Sequence, residues 1–151
     1  NIFIVNTLLG GFFGSRLMKN IREEKGLTYG IQSSIPVLLN SGYFVIGADV
    51  MKQNKDLAIQ EIYRELKLLR TKLPTGSEME ILKNYLLGTF QSEINTPFSL
   101  ADKFKGVHLY GMDYDFYDNL FTTIQNCKPS DITSTAEKYF HEDSMLSVVV
   151  G

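Results

Sequence analysis

The stretch "SRLMKNIREEKGLTYGI", residues 15–31, decides how the chain folds. Ser15 reads as a helix N-cap, and Leu17, Met18 and Ile21 form an apolar stripe at the three-to-four spacing of a helix. The helix carries the charged run Arg22-Glu23-Glu24-Lys25 and stops at Gly26, which fits the position after a helix where a left-handed backbone costs glycine nothing. From Thr28 the period changes to two: Tyr29, Ile31, Ser33, Ile35 and Val37 alternate as one face of a strand. Arg22 and Tyr29 therefore stand on either side of an abrupt change of structure, seven positions apart.

Working outward, Asn40-Ser41-Gly42 is a turn, and Tyr43–Val50 is a second strand, so residues 28–50 read as a hairpin. Pro36 cannot donate to a ladder, which puts the first strand at an edge or Pro36 near its end. A long helix is predicted over 54–73, with Ala58, Ile62, Leu66, Leu69 and Leu73 inward. Pro74-Thr75-Gly76 ends it, and Ser77-Glu78-Met79-Glu80 reads as a capping box for a helix that buries Leu82, Leu86 and Phe90. Further helices follow near 99–110, 115–125 and 129–140, and Ser144–Val150 is predicted as a final strand. On the other side of the opening stretch, "IFIVNTLL" (2–9) is too short for its period to separate helix from strand. The predicted class is α+β: a two-layer sandwich with a largely antiparallel sheet and helices packed on one face. A sheet of three strands is thin for so many helices. Together with an apolar start at Asn1 and an end at "LSVVVG", this predicts a fragment that lacks N-terminal strands.

With 151 residues and 44% hydrophobic content, the chain can bury a core of its own. A net charge of −2 gives no basic footprint for nucleic acid, and the apolar runs are far too short to span a bilayer. Only two histidines occur, His108 and His141, in neither H-E-x-x-H nor H-x-x-E-H spacing, so both read as structural and no metal ligand is assigned. Gly10-Gly11 lacks the Lys-Ser/Thr of a phosphate loop and reads as a place of close packing or a tight bend between two helices. Cys127, the single cysteine, reads as a bystander at a helix end. Glu23 and Glu24 are adjacent on a helix and point to different sides. The aromatic run "YGMDYDFYDNLF", 110–121, has no basic groove beside it and reads as core and rim. No complete catalytic set is present.

"NTLLGGFFGSRLMKNIREEKGLTYGI", residues 6–31, resembles the C-terminal half of the pitrilysin/insulysin family of zinc metallopeptidases, a group that includes the mitochondrial processing peptidase and the core proteins of the cytochrome bc1 complex. Leu-Gly-Gly, Ser-Arg-Leu, Ile-Arg-Glu and Gly-Leu-x-Tyr occur in the family's order and spacing. The likeness extends through the hairpin, "SEMEILKNYLLGTF" and the closing "VVVG", and is weak between 95 and 140. The resemblance implies a clamshell of two homologous halves enclosing a peptide or protein substrate. The N-terminal half carries H-x-x-E-H and zinc. The C-terminal half gives an arginine and a tyrosine, which match Arg22 (substrate binding and charge stabilisation) and Tyr29 (stabilising the oxygen of the attacked carbonyl). On this resemblance residues 1–151 are a single domain, the truncated non-catalytic half, holding no zinc itself and inactive alone. Its partner is the homologous zinc-binding half, in the same chain or as a separate subunit. Arg16 reads as structural, bonding loop carbonyls. The alternative is a non-proteolytic scaffold of the same fold, like the bc1 core proteins.

Overall fold

The computed structural model describes residues 1–113 and 115–151. The N-terminal run is helical: α1 (Ile2–Asn6) widens into a π-helical turn over Thr7–Gly11. Ile4, Val5, Leu8 and Leu9 of this segment are buried in the core. Arg16 and Leu17 open the next helix, which continues in π-helical form over Met18–Glu24. Its wider turns are visible where the Lys25 N–H donates to the Asn20 carbonyl at 3.1 Å, five residues back instead of four. Leu17, Met18 and Ile21 are all buried, as the stripe predicts. Ser15 stands at the cap position, but its hydroxyl is buried and makes no hydrogen bond, so it caps nothing.

Gly26 takes φ +60°. Its N–H donates to Arg22 O at 3.1 Å, and the Leu27 N–H reaches Ile21 O at 2.9 Å, the paired bonds that close a helix through a left-handed residue. The chain reverses there into β1 (Thr28–Ser34), which pairs antiparallel with β2 (Val45–Val50). Beyond the ladder, Val37 and Gly42 form an isolated bridge around the predicted turn, and Pro36 lies past the last residue of β1. Ile31 and Ser33 are buried beneath the preceding helical segments. An alanine at Gly10 would put its Cβ 2.6 Å from Ser33 Oγ, so the glycine does permit close packing, but against a strand and not between two helices.

Five helices follow. A 3-10 turn at Lys52–Asn54 leads into α2 (Lys55–Thr71), then come α3 (Gly76–Ser92), α4 (Pro97–Leu109), α5 (Phe116–Asn126) and α6 (Pro129–Tyr139). The capping box of α3 is set by Thr75 and not Ser77: Thr75 Oγ1 accepts from Glu78 N, and Glu78 Oε2 accepts from Thr75 N. α6 packs on both α1 and α2, and one continuous apolar core joins these helices to β1 through residues such as Leu9, Leu17, Ile31, Leu66, Leu69, Leu82 and Ile132.

The architecture is α+β, helix-rich, with an antiparallel sheet whose inner face meets the helical layer. The sheet has two strands among the described residues, and the predicted third is absent from it. Glu142–Ser144 is a 3-10 turn, and Met145–Val150 joins no ladder. The reason is placement: an ion pair from Arg70 to Glu142 and a 3.3 Å hydrogen bond between Tyr63 and Ser147 tie this segment to α2. It has strand-like residues but no strand within reach to pair with.

Candidate functional site

Arg22 and Tyr29 are positioned by different devices. Arg22 lies in the last turn of the π-helix, half-buried. Its guanidinium carbon sits 4.6 Å from the centroid of the Phe13 ring. Among the described residues no carboxylate forms an ion pair with it, and the Phe13 ring is the aromatic face it lies over. Stacking of this kind fixes a guanidinium's plane while leaving its donors free for a ligand.

Tyr29 departs from the face that simple alternation gives it. The ladder pairs Thr28 with Val50 and Ile31 with Ala48, with a register shift between them. Two residues, Tyr29 and Gly30, thus stand opposite Asp49 alone, which is a β-bulge. Thr28 braces it: its hydroxyl lies 2.6 Å from Asp49 O and accepts from the Gly30 N–H at 3.1 Å. Ile31 and Ser33 point into the core at 3% and 4% exposure, whereas Tyr29 is 97% exposed. The bulge ends the regular burial pattern and turns the phenol into solvent.

An open depression of about 610 Å³ is lined by Gly10–Phe13, Met18, and residues 30–32 and 47–49 of the two strands; neither Arg22 nor Tyr29 is part of its lining. Phe13, which supports Arg22, and Gly30, next to Tyr29, both belong to its wall.

Behind Arg22 a buried polar cluster fixes the π-helix to α2. Asn20 Nδ2 donates to Glu61 Oε2 at 2.9 Å and to Glu65 Oε1 at 2.7 Å. Lys25 and Arg64 add cations at 3.5 and 3.3 Å from Glu61. The hydrogen bond from Asn20, against the cost of burial and helped by these cations, holds Glu61 below the usual carboxylate range. Burial pushes Glu65 the other way, above that range, despite its own bond to Asn20.

Arg16 is structural, but its partner differs from the loop carbonyls expected. Its Nε donates to Glu78 Oε1 at 2.8 Å, locking the start of α3 to the start of the π-helix. Burial alone would raise Glu78; the bonds from Arg16 and Thr75 outweigh it and hold the carboxyl below its ordinary value.

The remaining candidates lie apart. His108 stacks on Phe104 with ring centroids 6.2 Å apart. His141 precedes the Glu142–Ser144 turn, with a ring nitrogen 3.2 Å from Lys138 O. Cys127 is buried, and burial pushes its thiol up, reinforced by Asp131. Phe90 packs against both Tyr117 and Phe121, with Lys103 over the Phe90 and Tyr117 rings; Tyr114 of the aromatic run lies outside the described residues. Among the described residues no three His, Cys, Asp or Glu side chains are grouped to hold a metal. No helix among them is long and apolar enough to cross a membrane.

Comparison with known proteins bears on this arrangement directly. Residues 3–86, which include the π-helix, the bulge and the depression, match the model of the peptidase M16 inactive domain. The chain belongs to that family. This M16 inactive domain is 27% identical over 145 residues to an uncharacterized zinc protease of Rickettsia bellii, covering 95% of the chain and 34% of that relative. It is 26% identical to a Helicobacter pylori protein named non-peptidase homolog YmxG, covering 95% of the chain and 33% of that relative. The M16 domain thus spans about a third of the length of these relatives. Its fold matches the peptidase M16 inactive domain from Pseudomonas fluorescens with TM-score 0.83 at 21% identity, covering 91% of the chain and 33% of that one. An inactive peptidase domain from Bordetella parapertussis matches at TM-score 0.80 and 20% identity, covering 94% of the chain and 77% of that one.

Sequence reasoning missed Phe13 and Thr28. Phe13 carries no mark beyond its place in "GGFFGSR". Thr28 had one faint sign, a β-branched hydroxyl residue beside Tyr29-Gly30, where a glycine inside a strand can indicate a bulge.

Proposed function

We propose that this M16 inactive domain is the substrate-binding, non-catalytic half of a pitrilysin-type zinc endopeptidase, with Arg22 and Tyr29 completing an active site on a homologous half that carries H-x-x-E-H. The observation that carries this reading is the bulge at Tyr29–Gly30. It holds a large aromatic side chain almost wholly in solvent, beside a depression whose wall also supports an uncompensated arginine. Burial would have been the favourable fate of a tyrosine on that strand; a braced backbone irregularity that prevents it suits a group meant to meet something outside the chain.

Among the described residues no His, Cys, Asp or Glu group fits a zinc ion; on this reading the metal would be held by the partner half. This chain contributes donors. When a peptide carbonyl is attacked, its oxygen gains negative charge. A phenol O–H can donate to that oxygen, and a guanidinium, always protonated, can bind neighbouring carbonyl oxygens of the extended substrate. Tyr29 thus acts where charge develops, and Arg22 acts mainly on binding.

The test uses the assembled two-half protein and a fluorogenic peptide. Tyr29→Phe is expected to lower kcat by about 10²–10³-fold, the typical cost of one such donor, with zinc content and Tm unchanged. Unaltered turnover would remove Tyr29 from the mechanism.

A second reading is a scaffold of the same fold without proteolysis, favoured by the Helicobacter pylori relative named a non-peptidase homolog. A zinc-free partner half and no peptide turnover in the assembled protein would decide for it.

A further inference from the structure

Glu61 of α2 holds both ends of one wide helical turn. At the first end, Asn20 Nδ2 donates to Glu61 Oε2 at 2.9 Å. At the other, Lys25 Nζ lies 3.5 Å from Glu61 Oε1. The same two residues are joined through the backbone, where the Lys25 N–H donates to the Asn20 carbonyl at 3.1 Å, the five-residue reach of a π turn. The helix begins in α form: the Lys19 N–H donates to the Ser15 carbonyl, four residues back, at 3.0 Å. Arg22 lies inside the turn that Glu61 spans. Each residue advances a helix by about 100°, so one residue more or less in this turn redirects the side chains it carries.

We propose that Asn20, Glu61 and Lys25 are positioning residues for Arg22: by holding the 20–25 turn in π form, they aim the guanidinium over the Phe13 ring, where its donors meet the substrate. The functional part rests on the substrate-binding role proposed above for Arg22; the positioning itself does not. The cost of the arrangement supports it. Asn20, Glu61 and Glu65 are all buried. Glu65 takes the second bond of the Asn20 amide, at 2.7 Å, and the amide oxygen is buried without a hydrogen bond among the described residues. Two buried carboxylates and an unsatisfied acceptor cost stability that an apolar contact of the same size would not. What they supply instead is a defined geometry: two donors five residues apart, tied to one carboxylate. Ile21, in the same turn, is fully buried, so core packing is the competing cause of the turn's shape.

The test uses the assembled two-half protein with isotope-labelled arginine. The Arg22 Nε–Hε resonance, assigned by its loss in Arg22→Lys, reports orientation without reference to activity, because the ring current of Phe13 shifts that proton upfield while the guanidinium lies over the ring. Glu61→Met removes both links and keeps an apolar side chain of similar length. It is expected to move the Arg22 proton toward its position in free arginine. It should also lower kcat/KM for a fluorogenic peptide by about 10- to 100-fold, the range for misplacing a binding group by an ångström, mostly through KM. Glu61→Gln, which still accepts from Asn20, should recover part of both losses. Lys25→Met frees only the partly exposed end of the turn and should move both readouts the same way by less; it keeps the test open if Glu61→Met does not fold. An Arg22 proton unmoved in the folded variants overturns the proposal, whatever happens to Tm, because Ile21 and the core then hold the turn. A moved proton with unchanged KM upholds the positioning and removes Arg22 from substrate binding instead.

Discussion

Arg22 rests on Phe13, its guanidinium carbon 4.6 Å from the ring centroid, and Phe13 itself is 63% exposed at the wall of the depression beside Tyr29. An exposed phenylalanine is expensive to display and contributes little to the core.

Replacing that ring tests the arrangement without touching the arginine. Phe13→Leu keeps an apolar side chain but removes the electron-rich face. A cation–π contact at an exposed site is worth about 0.5–1 kcal/mol, equivalent to about a two- to five-fold change. In the assembled two-half protein kcat/KM for a peptide is expected to fall by that factor, mostly through KM, with Tm unchanged. Identical kinetics in the variant would mean that Phe13 does not position Arg22.

Gly26 links the two candidate groups. A Cβ there would meet nothing within 4 Å, so any cost of Gly26→Ala comes from φ +60° alone, about 1–2 kcal/mol for an L-residue. Chemical denaturation should show that loss. Gly76→Ala, at the first position of α3 and equally free of neighbours, should leave stability unchanged or raise it. Equal effects at both sites would show that the helix end tolerates another backbone conformation.

Gly10 is restricted by space instead. Its Cβ would approach Ser33 Oγ at 2.6 Å, Ser33 N at 2.8 Å and Leu17 Cδ1 at 2.9 Å. Two of these neighbours are fixed by a strand and a buried side chain, so Gly10→Ala should destabilise by about 1–3 kcal/mol and shift the denaturant midpoint accordingly. An unshifted midpoint would mean that the turn at Thr7–Gly11 can move off β1.

The Asn20 cluster predicts opposite pH behaviour for its two carboxylates. Glu61 is held below its unfolded value, so its contribution is present above about pH 4.3 and is lost as pH falls through the depressed folded value. Glu65 is raised by burial, so its contribution is full below that same unfolded value and is lost as pH rises through the elevated folded one. At pH 7, Glu65→Gln should therefore raise Tm while Glu61→Gln lowers it. At pH 4 the gain from Glu65→Gln should shrink. A similar Tm loss in both variants at pH 7 would contradict the assignment for Glu65.

The sequence by itself determined the elements whose causes are local. Gly26 stops a helix because a left-handed residue is needed within four positions of its last turn, and the sequence shows both. The hairpin around Asn40–Gly42, the helix starting at Pro129 and the α+β class follow from turn chemistry and period, and the run of motifs over residues 6–31 carries the resemblance to the family that the matched residues 3–86 show. Tertiary structure alone decided which way those groups lie. Alternation puts Tyr29 on the buried face with Ile31; the bulge opposite Asp49 takes it off that face, and a bulge exists only in the pairing of two strands. Phe13 beneath Arg22, Asn20 between two glutamates 41 and 45 residues away, and Glu78 on Arg16 are likewise meetings of distant segments. Met145–Val150 shows the converse: strand-forming residues fix a tendency, but a ladder needs a neighbour, and here the nearest ties lead to a helix. Local sequence sets backbone preference, whereas exposure, ion pairing and strand partnership are properties of what the rest of the chain brings alongside.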